Sequence, residues 1–185
     1  MITAGEDPAP LLAFYERLKK NPSMRSVESL WGFLQHAGIP IEPDGTFLAY
    51  KSVRADCRDH HSGQVDYTPS PAGEPPNIQT VERNEVSDDP RTPCHFGLHV
   101  GALKYARTFG SGGKIIICRI DPENVVCVPY DSNAEKMRVC ELEVVGFWNG
   151  RAMPSTTMET DDRKDAREAK PVAPKKAKKT AKAKF

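Results

Sequence analysis

No run in this chain approaches the roughly eighteen consecutive apolar residues that a membrane-crossing helix requires, so a spanning helix is not expected. The first residues, Met1-Ile2-Thr3-Ala4-Gly5-Glu6-Asp7, have neither a basic start nor an apolar core of the secretory type, which argues against export. Cysteines are few and odd in number, five, and Cys57, Cys94, Cys118, Cys127 and Cys140 fall in different kinds of segment. A disulfide framework is therefore not expected, and reduced thiols in a cytosolic compartment are. No CxxC knuckle and no fixed-period repeat is present. Apolar residues make up only 38% and charged residues 28%, so part of the chain is expected to stay solvated.

Acids are absent from one stretch. Residues 171–185 carry six lysines, Lys175, Lys176, Lys178, Lys179, Lys182 and Lys184, and no Asp or Glu. The formal net charge is +1, so without those six lysines residues 1–170 stand at −5. An acidic body with a basic tail is the pattern, and it allows three readings of the tail. It can be a solubilising extension, a sequence-independent contact to nucleic-acid phosphates, or a contact to an anionic membrane surface. Residues 151–185 lose hydrophobic periodicity and are read as disordered, because they cannot bury enough apolar area to offset the entropy of ordering.

What remains, residues 8–150, is long enough for one globular domain. Residues 8–20 predict a helix with Leu11, Phe14, Tyr15 and Leu18 at helical spacing, stopped by Asn21-Pro22. A second helix is predicted from Ser26 as N-cap, with Leu30, Phe33 and Leu34 on its apolar face and Gly38 at its end. Asp44-Gly45 predicts a hairpin turn into a strand at 47–53. Residues 54–78, with four prolines, read as a long irregular loop, and a short strand follows at 79–83. Residues 100–109 predict a helix, 114–120 a central strand, 125–129 another, and 137–147 a last one. The expected fold class is α+β: an N-terminal helical hairpin on a small mixed or antiparallel sheet of about five strands, with one further helix.

Chemistry concentrates in Pro93-Cys94-His95-Phe96-Gly97-Leu98-His99-Val100, just before that further helix. Cys and His can serve as ligand, nucleophile or base near neutral pH. A zinc site from Cys57, His60, His61, Cys94, His95 and His99 fits no standard spacing, and no metal is expected. A nucleophilic Cys94 lacks flanks of any cysteine-protease kind and an orienting Asn or Asp. The strand–turn–helix–strand order resembles, at the level of fold alone, the ADP-ribosyltransferase-like arrangement. Tyr50, Lys51, His60, Arg83, Cys94, His99 and Arg138 are the candidate ligand-binding residues, since aromatic and cationic groups suit a base and phosphates.

A longer set of motifs carries a family resemblance. Asp44-Gly45-x2-Leu48-Ala49-Tyr50-Lys51-Ser52-Val53, Asp59-His60-His61-Ser62-Gly63, Arg83-x2-Val86-x-Asp88-Asp89, Cys94-x2-Gly97-Leu98-His99-Val100, Val125-x2-Val128-Pro129-x-Asp131 and Ala134-x-Lys136-Met137-Arg138 occur in order. With Asn21-Pro22-Ser23 before them, they resemble the rIIB-like proteins of tailed bacteriophages, over about residues 8–148. The proline-rich loop and the basic tail depart from that pattern. The resemblance implies an early phage protein in the host cytoplasm, peripheral at the inner membrane, acting with an rIIA-like partner on lysis timing and protection from prophage exclusion. It also implies that longer relatives carry an additional N-terminal region, and it supplies no catalytic residue. The expectation is a non-enzymatic accessory protein that binds a partner or ligand. The alternative is a nucleotide-binding or nucleotide-modifying protein acting on a host defence signal.

Overall fold

The structure, a computed structural model, describes residues 7–37, 39–110, 112–130 and 135–151. The lysine tail, and Asp131 and Ala134 of the motifs, lie outside the described residues. Helix α1 (Ala9–Leu18) opens on Pro8 and Pro10, whose fixed φ suits a first turn, and buries Phe14 and Leu18. Helix α2 (Met24–Ala37) is capped three residues earlier than its sequence suggested. The capping role belongs to Ser23, whose Oγ accepts from the Ser26 N–H at 3.2 Å. Ser26 is buried, and its hydroxyl donates to the Val126 carbonyl at 2.6 Å, tying the helix to the sheet. Leu30, Phe33 and Leu34 are fully buried, each contributing about 1.5–3 kcal/mol of apolar burial.

Among the described residues seven strands follow: β1 (Phe47–Val53), β2 (Asn77–Thr80), β3 (Leu98–Gly101), β4 (Lys114–Ile120), β5 (Val125–Cys127), β6 (Lys136–Val139) and β7 (Glu141–Phe147). A short helix α3 (Leu103–Thr108) lies between β3 and β4. The strand order is β2-β7-β4-β1-β3-β6-β5, and every pairing is antiparallel. The α+β class stands; two strands more than expected are present. The helix predicted over residues 100–109 spans only Leu103–Thr108, and its expected first turn belongs to β3, where Leu98 and Val100 turn inward while His99 does not, the two-residue period of a strand. The expected single strand 137–147 breaks at Cys140, whose N–H donates to Asn124 O at 3.0 Å and whose carbonyl accepts from Val81 N at 2.9 Å. The predicted hairpin partner of β1 is reduced to one bridge, Ile41↔Phe47.

That break has a geometric consequence. β6 and β7 stand four places apart in the sheet, which in a flat sheet is about 19 Å. Only Cys140 separates them in sequence, which holds their ends to about 7 Å. The sheet therefore curls on itself into a small barrel, with β6–β7 as one bent strand closing it. Phe47, Ala49, Val53, Leu98, Val100, Ile116, Cys118, Ile120, Met137, Val139, Leu142 and Val144 face the common interior, shared with Phe14, Leu30, Phe33 and Leu34. On the outside, α3 places Leu103 and Ala106 on Tyr50. The Asp44-Gly45 turn meets α1: Gly45 has φ +85°, and a Cβ there would sit 2.3 Å from the Ala13 carbonyl carbon.

Candidate functional site

Because side chains alternate along a strand, β1 sends Tyr50 and Ser52 outward and Lys51 inward. Tyr50 and Lys51, adjacent in sequence, thus face different sides of the barrel wall. Past the Tyr50↔Gly101 pair no further β1–β3 register is formed, and the Lys51 ammonium reaches into that opening to donate to the His99 carbonyl at 3.0 Å. The same ammonium lies 4.8 Å from the centre of the Tyr67 ring, a cation–π contact. Burial pushes the Lys51 amine below its ordinary value, with Cys118 and Asp59 opposing. Burial likewise raises the Tyr67 phenol and lifts the Cys118 thiol to about 12, so neither ionises near neutral pH.

On the outward face, β3 pairs with β6 so that His99 stands directly opposite Arg138. Arg138 is completely buried. Its Nη1 donates to Thr92 O at 2.8 Å and its Nη2 to Asp89 O at 2.7 Å, with Cys127 Sγ at 3.1 Å. The guanidinium thus pins the 86–97 loop over β6. Gly97, at φ +140°, lets that loop come close; a Cβ there would lie 2.8 Å from Val86 Cγ1. Among the described residues no carboxylate lies within ion-pair distance of Arg138 or Lys51.

His99 is held neutral. Burial, then the positive charges of Lys51, Arg138 and Lys136, lower its pKa from 6.5 to about 4, and a hydrogen bond with the His95 backbone only partly opposes them. Between pH 6.5 and about 4 the unfolded chain binds a proton that the folded chain does not, so stability falls as pH falls through that window. The loss is expected to reach roughly 2 kcal/mol by pH 5 and roughly 3 kcal/mol by pH 4. Comparing urea unfolding of the wild type and His99→Gln between pH 6.5 and 5 isolates this from the carboxylates; parallel curves would refute it.

The other candidates lie apart from this pair. His60 Nε2 is 3.1 Å from Ser52 Oγ, and its ring packs edge-on against Phe109 at 5.7 Å. Its neighbour Asp59 organises the loop: Ser62, Gln64 and Val65 donate to the carboxylate, which outweighs burial and holds it well below the usual carboxylate range. Arg83 serves a different contact, donating to Glu123 O at 2.7 Å, Val125 O at 3.0 Å and Asn21 Oδ1 at 2.9 Å. Asn21 Nδ2 donates to Pro122 O and Val125 O, so Asn21 and Arg83 fasten the helical hairpin to the 122–125 turn. Cys94 is exposed; Cys57 is buried, with Lys114 Nζ 3.3 Å from its sulfur. Among the described residues no three His, Cys, Asp or Glu side chains gather to hold a metal ion. Two contributors escaped the sequence reading. Tyr67 was signalled as the lone aromatic in a polar loop, and Ser52 stood in the strand motif without being singled out.

Comparison with known proteins agrees with this arrangement of motifs. A family model described as bacteriophage T4 protein rIIB matches residues 8–157. Protein rIIB of Enterobacteria phage T4 is 38% identical over 142 residues, which cover 76% of this chain and 44% of that protein. The chain therefore spans less than half the length of that relative. No solved structure matches it. Asn21, Asp59, Arg83, Gly97 and Arg138, drawn from separate motifs, are the residues that fasten loops and helices to the barrel, and with the match covering most of its length the chain belongs to the rIIB family of phage proteins.

Proposed function

We propose that this chain is a non-enzymatic accessory protein of a tailed phage that docks an rIIA-like partner in host takeover, in lysis timing or in protection from prophage exclusion. The observation that supports docking is an exposed aromatic pair on anchored backbone. Phe96 is 52% and Tyr130 is 68% exposed. The Tyr130 N–H donates to Pro90 O at 2.9 Å, bringing its segment to the loop that Arg138 pins. Large apolar side chains held on rigid backbone bind with little ordering cost, and aromatic anchors dominate interface energetics. Cys94 lies exposed in the same loop. The acidic body and the basic tail suit a protein of the host cytoplasm that rests peripherally on the anionic inner membrane, or on nucleic acid, through its lysines.

Co-expression with an rIIA-like protein and affinity capture tests this. The wild type is expected to retain the partner, and the Phe96→Ala/Tyr130→Ala double variant to lose it by tenfold or more, about 1.4 kcal/mol or above. Equal capture by both chains, with unchanged unfolding midpoints, would remove this surface from the interface.

A further inference from the structure

Two buried side-chain nitrogens among the described residues have no hydrogen-bond partner, His99 Nε2 and Arg138 Nε. They belong to residues directly opposite one another on β3 and β6. We infer that this outward face, between α3 and the 86–97 loop, holds a small oxyanion, a carboxylate or phosphate group, on His99 Nε2 and Arg138 Nε, and that His99 takes up a proton as it binds.

Unpaired buried donors and acceptors are costly, and most buried polar groups in folded proteins have a partner, so two on opposed residues call for one. Arg138 Nε–H can only donate. The His95 backbone favours the protonated ring, and Nε2 is the ring nitrogen left without a partner, so Nε2 is assigned the lone pair. A group satisfying both must accept from Arg138 and supply a proton to His99. An oxyanion arriving with one proton, its own or one from solvent, does both and leaves imidazolium against anion. Charge favours the same occupant. His99 is faced by Lys51 through the barrel wall, Lys136 and Arg138 from β6, and the His95 backbone. Ser52, bonded to His60, stands on β1, and α3 contributes Tyr105, over which Lys136 lies 5.8 Å from the ring centre. Among the described residues no carboxylate lies within ion-pair distance of Lys51 or Arg138, and Asp59 acts on Lys51 through its charge. A desolvated cluster of this kind is stabilised by an anion far more than an exposed one would be. On this face His99 is only partly buried whereas Arg138 is fully buried, so the site has a solvent side and a closed side.

The inference stands apart from the docking surface, since Phe96 and Tyr130 make no part of it. The test is nitrogen-15 histidine NMR of the full chain between pH 5 and 7, with inorganic phosphate, acetate or a nucleoside monophosphate added separately. His99 Nε2 is expected to move to its protonated shift on adding anion, while His60 does not. For acetate, which does not titrate across most of this range, affinity is expected to rise by up to about tenfold per pH unit as pH falls, the mark of one proton taken up. His99→Gln is expected to abolish the pH dependence, and Arg138→Lys, which keeps the charge but lacks Nε, to weaken binding at least tenfold. A nucleoside monophosphate binding much tighter than phosphate identifies the occupant as a nucleotide; equal binding of phosphate and acetate identifies a general oxyanion site. A His99 signal unmoved by all three overturns the proposal. So does a high-resolution structure with a water bridging the two nitrogens that saturating phosphate fails to displace.

Discussion

Arg138→Ala is expected to destabilise the chain by about 3–5 kcal/mol, as much as truncating a buried aromatic. Three effects coincide. The substitution strips the Asp89 and Thr92 carbonyls of their donors, opens a void at a site with no solvent exposure, and frees the 86–97 loop. Arg138→Met separates them, because it refills most of the volume yet restores neither donor. It is expected to recover only the cavity part, about 1–2 kcal/mol. Urea unfolding followed by far-ultraviolet circular dichroism reads both. An Arg138→Ala midpoint within about 1 kcal/mol of wild type would mean that the guanidinium anchors nothing.

Gly45→Ala is expected to cost about 3–4 kcal/mol, from two sources that a control can divide. A positive φ of +85° burdens any L residue, and the new Cβ would lie 2.3 Å and 2.4 Å from backbone atoms of Ala13 and Phe14. Backbone cannot rotate aside as a side-chain tip can, so α1 itself must shift, and with it Phe14 on Phe47. Gly73 has nearly the same φ, +89°, with nothing within 4 Å of its Cβ position. Gly73→Ala is therefore expected to show the conformational part alone, about 1 kcal/mol. If the two variants melt together, the close approach of the turn to α1 is not real.

The elements with strong local signals were legible in the sequence. Leu11, Phe14 and Leu18 at helical spacing gave α1, and the run Ile115-Ile116-Ile117 gave β4, because periodicity and branched residues act on the chain wherever it lies. The α+β class followed from them. β3 was not legible: four residues between Gly97 and Ala102 carry too short an alternation to separate from a helix approach. The break at Cys140 is set by Asn124 and Val81, both distant in sequence, so no local pattern announces it. The site shows the same division. His99 and Arg138 stood out as residue types, yet their pairing depends on the β3–β6 register. Tyr50 and Lys51 were grouped with them by chemistry, and the two-residue period of β1 sent them to opposite sides of the wall. Arg83 looked like a phosphate ligand and serves as a clamp on Asn21 because the hairpin it secures lies 62 residues away in sequence.

The closure of the barrel through Cys140 also bears on how fast the chain reaches this state. β1 must wait for partners that follow it by about fifty residues or more, Gly101 opposite Tyr50 and Lys114 to Ile120 along its whole length. The bent β6–β7 strand, last among the described strands, then has to seal both sides at once. Few contacts form early enough to repay the entropy of closing such long loops, which places the protein among slow folders, in the range of milliseconds to seconds. During synthesis the helical hairpin and β1 emerge well before any strand that can cover them. The freshly made chain therefore passes through a stage in which Phe33, Leu34 and Phe47 lack their final cover, and its yield in an infected cell depends on how quickly the last strand arrives.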